Sequence, residues 1–115
     1  MYTILDQIIA QTIGYVDVSD HEILFYTQEG RVFSMCNDED RLNDVEVYVE
    51  DIAGDLNDLI GVPLVRAEER SENGSSASGP WTFYEFATIK GSVTIRWFGE
   101  SNGFYSETVS FVELY

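Results

Sequence analysis

The last third of the chain, Trp81 to Leu114, constrains the fold more than any other stretch. It reads as three runs of alternating character separated by glycine turns, and it holds nine of the sixteen aromatic residues. Alternation of this kind demands antiparallel strands with one buried side. A two-residue loop at Lys90-Gly91, with glycine supplying the positive φ of a tight hairpin, pairs Ile89 with Ser92, Phe86 with Ile95, Glu85 with Arg96 and Tyr84 with Trp97. A three-residue loop at Ser101-Asn102-Gly103 then pairs Trp97 with Glu107, Ile95 with Val109 and Val93 with Phe111. The alternative there, a two-residue Asn102-Gly103 turn, sets Ser110 opposite Ile95. The first two choices place Tyr84, Phe86, Val93, Ile95, Trp97, Val109 and Phe111 on a single apolar face. A slip of one residue would turn that whole set outward, so the agreement of the two turns supports this register.

The reverse face is mixed. Trp81, Phe83 and Phe98 cluster near one end, followed by Glu85, Arg96, Thr94, Ser106, Thr108 and Ser110. Either the N-terminal half of the chain covers these three aromatics, or they form an exposed patch that binds a partner.

Upstream, Ile4, Leu5, Ile8 and Ile9 at helical spacing predict a short amphipathic N-terminal helix over residues 3–10. Strands are expected at Thr12–Val18, Ile23–Thr27 and Arg31–Cys36. The last two form a hairpin closed by Gln28-Glu29-Gly30, with Phe25 facing Phe33 and Ile23 facing Met35. Val45–Ile52 alternates cleanly, with Val45, Val47 and Val49 inward and Glu46, Tyr48 and Glu50 outward. Gly54 to Gly61 reads as one helical turn near 55–60, capped by Asp55, ended by a left-handed Gly61 and anchored by Leu56, Leu59 and Ile60. A strand at Pro63–Glu69 follows, then a flexible loop at 71–79. The expected fold is thus α+β and mostly antiparallel β: two hairpins or meanders around a central strand, with a short N-terminal helix and one helical turn. The 115 residues make a single domain, 1–115.

Charge is the outlier in composition. Twenty-one acidic against six basic residues leave a net charge of −15, while 44% hydrophobic residues exclude a disordered chain. Phosphates would be repelled by such a surface, so direct nucleic-acid binding is not expected. No apolar run is long enough to cross a bilayer as a helix, and residues 1–11 lack the basic region and cleavage-like site of a signal peptide. A lone Cys36 forms no internal disulfide and suits a reducing cytoplasm.

Nine carboxylates lie between residues 38 and 58, beside the single base Arg41: Asp38, Glu39, Asp40, Asp44, Glu46, Glu50, Asp51, Asp55 and Asp58. They do not form a calcium loop, because Leu42 interrupts the ligand series and the required glycine is missing. The belt is either a solvated acidic face or a recognition surface for a basic partner. His21 sits alone in a polar turn, Cys36 ends a strand, and no third group orients them as a catalytic pair. No phosphate-binding or nucleophile motif occurs, so neither an enzyme nor a cofactor or metal site is expected. At the tip of the last hairpin, Glu100, Asn102 and Tyr105 beside Phe98 are either turn chemistry or a contact site, and register-setting turn chemistry is the favoured reading.

The runs Glu50-Asp51-Ile52, Gly54 to Gly61 (GDLNDLIG), Trp81 to Tyr84 (WTFY), Thr88 to Gly91 (TIKG) and Arg96 to Glu107 (RWFGESNGFYSE) together resemble a family of small phage and prophage proteins, a domain of unknown function. The resemblance spans roughly residues 13–113. Similar proteins often carry paired cysteines in the loop before the central strand, where this chain has Asp40-Arg41-Leu42-Asn43, so no redox or metal role carries over. The resemblance implies a phage gene product in the cytoplasm of a bacterial host and brings no catalytic residues. The expectation that follows is a non-enzymatic inhibitor or modulator of a host defence or nucleic-acid-binding protein, acting through its acidic surface on a partner with a basic one. The alternative is a structural module that self-associates into an oligomer through its aromatic sheet face.

Overall fold

The computed structural model describes residues 4–36, 45–73, 80–101 and 109–114. Among them eight strands build two four-stranded sheets: β1 (Ile13–Val18), β2 (Glu22–Thr27), β3 (Val32–Cys36), β4 (Val45–Ala53), β5 (Arg66–Asn73), β6 (Pro80–Thr88), β7 (Gly91–Ser101) and β8 (Ser110–Glu113). One sheet has the order β1-β2-β3-β8, the other β4-β7-β6-β5, and every neighbouring pair is antiparallel. Their apolar faces meet in one core, so the architecture is a β-sandwich rather than an α+β fold.

The helical pieces shrink for physical reasons. Ile4–Gln7 is a single 3-10 turn, and Ala10 ends the segment at a φ of +76°. Eight residues are too few to stabilise an α-helix, whereas a 3-10 turn aligns positions three apart. Leu5 and Ile8 use that spacing, and both are buried. The second piece, Leu56–Leu59, is also a 3-10 turn. Here the expected details hold: the Asp55 carboxylate accepts the Asn57 N–H at 2.9 Å, Leu59 is buried, and Gly61 takes a φ of +90°.

The β2–β3 hairpin has the expected register, Phe25 opposite Phe33 and Ile23 opposite Met35. The β6–β7 hairpin has the expected faces and a register two residues away: Phe86 pairs with Val93, Tyr84 with Ile95 and Glu85 with Thr94. The turn is Ile89-Lys90, neither with positive φ, and the Thr88 hydroxyl accepts the Lys90 N–H at 3.1 Å. Gly91 begins the returning strand, where a Cβ would come within 2.7 Å of the Asp58 carboxylate. A two-residue shift preserves parity, so Tyr84, Phe86, Val93, Ile95 and Trp97 are all fully buried.

The third run leaves the meander. β8 pairs with β3, placing Phe111 opposite Met35, while β4 takes the free edge of β7. Val109 and Phe111 still reach the expected core, from the facing layer: Phe111 lies 6.3 Å from Phe86 and 6.5 Å from Tyr84 between ring centroids. A sandwich needs apolar residues on both facing layers, and sending the last run across supplies them. Gly103, Asn102 and Tyr105 lie outside the described residues.

β4 carries a bulge between Val49 and Asp51, which lets Val49 face Trp97 and Ile52 face Ile95 despite a spacing of three. Without the bulge, strict alternation would aim Asp51 at the core. The strand expected at Pro63–Glu69 begins later, at Arg66, and takes in Ser71–Asn73; residues 74–79 lie outside the described residues. Pro63 instead bridges Thr12, and the Leu64 N–H donates to the Gln11 carbonyl at 2.9 Å, fastening this connection to the N-terminal segment.

Two cross-layer contacts fix the sheets against each other. Trp97 Nε1 donates to the Met35 sulfur at 3.0 Å. The Tyr84 hydroxyl donates to Glu69 at 2.6 Å, with the Val109 carbonyl at 3.1 Å sharing the same hydrogen. At the other end of β8, Arg31 makes a two-pronged pair with Glu113 (both bonds 2.8 Å) and donates to Gln7 at 2.9 Å.

Gly54 has a φ of +110°, and a Cβ there would stand 2.6 Å from the Ser92 carbonyl, whereas at Gly61 nothing lies within 4 Å. Gly61→Ala should therefore cost about 1 kcal/mol from backbone strain alone. Gly54→Ala should cost at least about twice that, the Ser92 collision adding to the same strain. Urea unfolding of the two variants checks this, and equal losses would contradict the close approach of Gly54 to β7. Burial, with the Glu69 carboxylate as a second cause, raises the Tyr84 hydroxyl well above its usual 10. The unfolded chain can ionise this group above about pH 10 while the folded chain cannot, so stability must fall with rising pH, by up to about 1.4 kcal/mol per unit. Tyr84→Phe should lose that component of the alkaline slope in pH-dependent unfolding; identical slopes would show that the hydroxyl is not held as described.

Candidate functional site

The outward face of the β4-β7-β6-β5 sheet follows from its register. Tyr48, Phe98 and Trp81 line up across three strands, and one step along the sheet Arg96, Phe83 and Arg70 line up in the same way. Trp81 and Phe98 lie 4.7 Å apart and Tyr48 and Phe98 5.8 Å apart, all tilted rather than stacked. Among the described residues, β1, β2 and β3 pack on the opposite face of the sheet, and the N-terminal half reaches this layer only through β4, whose Tyr48 lies on Phe98. Further covering comes from arginines of the same sheet. Arg96 lies over Trp81 at 5.1 Å and Arg70 over Phe83 at 5.6 Å.

The charges on this face are matched in place. Arg96 pairs with Glu50 at 2.7 Å and Arg66 with Glu85 at 2.9 Å, so the expected Glu85–Arg96 partnership is replaced by two others that the shifted register allows. Phe98 is nearly buried and Trp81 and Phe83 are half-buried, so the three expected patch residues sit together beneath a polar roof.

At the rim of this layer lies an open groove of about 410 Å³, lined among the described residues by Asp20, His21, Tyr48 and Val49. It forms where the β1–β2 turn abuts edge strand β4. The Val49 N–H donates to the Asp20 carbonyl at 2.8 Å, joining the two sheets at that point. The turn itself is braced: both the Ser19 N–H and its hydroxyl donate to the Glu22 carbonyl at 2.9 Å. Tyr48 belongs to both features, with its ring on Phe98 and its place in the groove wall.

The nine carboxylates of the acidic belt are placed as follows. Asp38, Glu39, Asp40 and Asp44 lie outside the described residues, and Glu46 lies in β4 opposite Glu100 of β7. Glu50 holds Arg96, Asp55 caps the 3-10 turn, Asp58 lies half-buried against Gly91, and Asp51 is exposed. Among the described residues no three His, Cys, Asp or Glu side chains converge as a metal ion requires. His21 lies in the expected polar turn, and there it forms part of the groove wall. Two signals were available for the rest. Arg66, Glu68 and Arg70 alternate at the period of a strand face, and Tyr48 stands opposite the aromatic run once β4 is laid beside β7.

Two of the sequence motifs grip each other. The Thr88 hydroxyl donates to the Asp58 carbonyl, Lys90 Nζ donates to the Ile60 carbonyl at 2.8 Å, and Gly91 leaves room for the Asp58 carboxylate. The GDLNDLIG turn and the TIKG hairpin are therefore one structural clasp. The profile of a domain of unknown function, DUF7448, matches residues 6–111. The chain belongs to the DUF7448 family. The clasp, the arginine-roofed aromatic layer and the described residues of the groove all fall within the matched span of this DUF7448 domain. No curated protein and no solved structure matches the chain.

Arg96→Ala should uncover Trp81 and leave Glu50 unpaired while removing only a surface ion pair and a cation–π contact, so its cost should stay near about 1 kcal/mol. Tryptophan emission should shift to the red, because Trp97 is fully buried and only Trp81 gains water. An unshifted spectrum would show that Arg96 does not cover the ring.

Proposed function

We propose that this DUF7448 domain is a non-enzymatic binding protein that engages a protein partner through its acidic surface. The observation that carries the reading is the way the cations are used. Arg31, Arg66 and Arg96 are held in ion pairs, Arg70 lies on Phe83, and Lys90 is bonded to the Ile60 carbonyl, so each described cation is engaged within the chain. Meanwhile Asp6, Asp17, Asp20, Asp51 and Glu68 are exposed and belong to none of these ion pairs. The uncompensated charge on the surface is thus negative, which favours fast, salt-sensitive association with a basic surface.

The resemblance to phage and prophage proteins makes the bacterial cytoplasm the setting of this proposal and a host defence or nucleic-acid-binding protein the class of partner. Such proteins present basic grooves to phosphate, and a fixed set of carboxylates can occupy the same field. Self-association through Trp81, Phe83 and Phe98 is the second reading. The roof of Arg70 and Arg96 makes that face polar, and a charge of −15 on each copy opposes it.

Capture of partners from host lysate on the immobilised protein should fall steeply between about 50 mM and about 500 mM salt, as the screening length contracts. A variant carrying Asp17→Asn, Asp51→Asn and Glu68→Gln should bind the captured partner more slowly. Capture indifferent to salt, or an unchanged association rate in the triple variant, would overturn the acidic-surface reading.

A further inference from the structure

We infer that the groove between the β1–β2 turn and β4 is a receptor for one arginine side chain of a protein partner. This deepens the binding reading above and rests on it. The groove offers the three surfaces that a guanidinium side chain requires. The Asp20 carboxylate is exposed and outside every described ion pair, so it can take the two-pronged hydrogen bonding of a planar guanidinium. Tyr48, half-buried in the wall, supplies the aromatic ring on which such a group stacks. Val49, packed against the core at its other side, supplies an apolar strip for the methylenes of the stem.

The walls stand ready before anything binds. Asp20 and His21 are the central residues of a turn braced by Ser19 and tied to β4 by the Val49 N–H, and Tyr48 is held by Phe98 at 5.8 Å. A site that need not be ordered on binding retains more of its contact energy as affinity. At about 410 Å³ the groove lies in the range of small-ligand sites. An anion is disfavoured by Asp20 and by the net charge of −15, and the cations of the adjoining sheet face are already engaged with Glu50, Glu85 and Phe83. A purely apolar group would leave the Asp20 carboxylate desolvated without a partner.

The experiment is a titration of the isotope-labelled full chain, followed by amide chemical shifts. The probes are N-acetyl-arginine amide and, as an uncharged isostere, N-acetyl-citrulline amide. Arginine should give saturable shifts confined to Asp20, His21, Tyr48, Val49 and their immediate neighbours, while citrulline leaves them in place. Asp20→Asn should weaken arginine binding several-fold and keep the fold, because the structural bond of this residue is made by its backbone carbonyl. Tyr48→Leu should weaken it independently. Shifts spread evenly over the exposed carboxylate-bearing strands, or equal binding by Asp20→Asn, would overturn the proposal. So would capture of a partner that keeps its salt dependence and its affinity in both variants, an outcome that leaves the acidic-surface reading standing. Saturable arginine binding in a protein whose partner capture ignores salt would do the reverse, keeping the groove and sinking the broader reading.

Discussion

Everything in this sandwich depends on a plane of aromatic rings trapped between two sheets. Phe25 of one layer lies 5.2 Å from Phe86 of the other, Phe111 stacks on Phe33 at 5.5 Å, and Tyr84 and Trp97 close the same space, all with negligible exposure. Large rings bury much area for few ordered torsions, which lets a chain of 115 residues assemble a core against a net charge of −15. The polar handles of Tyr84 and Trp97 each find a partner across the gap, so the core is matched in hydrogen bonding as well as in shape.

What the sequence shows clearly is parity; what it leaves open is partnership. The strand faces of β6 and β7 are legible because alternation is a local property of the chain. Their register is not, because Gly91 looks like a turn residue and in fact makes room for Asp58 from a distant segment. The same limit explains β8. Val109 and Phe111 announce a buried face, but which sheet receives them depends on the edge that β4 has already taken. The bulge at Val49–Asp51 is equally hidden, since it appears only when β4 is laid against Trp97 and Ile95. The candidate site divides along the same line. Trp81, Phe83 and Phe98 could be assigned to one face from alternation, although the expected register set Phe83 opposite Phe98 where Trp81 in fact stands, whereas the groove joins a turn of one sheet to an edge of the other.

The use of charge has a logic of its own. Most of the described arginines serve the interior of the fold or its outer aromatic layer: Arg31 joins β3, β8 and the N-terminal turn, and Arg70 and Arg96 shield rings from water. Glu69, whose side chain reaches the buried hydroxyl of Tyr84, puts a carboxylate on the inner side of edge strand β5, where it discourages another strand from adding on. Among the described residues the basic side chains are thus structural ties, and most of the acidic ones face solvent.

The path of the last strand sets the order in which the molecule can be assembled. β3 receives its outer neighbour only from β8, and the ion pair that seals the two joins residues 82 positions apart. On a ribosome, β1, β2 and β3 would emerge long before that neighbour, with Phe33 and Met35 facing an unfinished layer. Loops closed over such distances are formed late and slowly, so the hairpins come first and the sheet is completed only after β8 has emerged. A nascent chain in that interval carries an open edge beside uncovered rings, and its high negative charge then serves a second purpose, keeping unfinished copies apart.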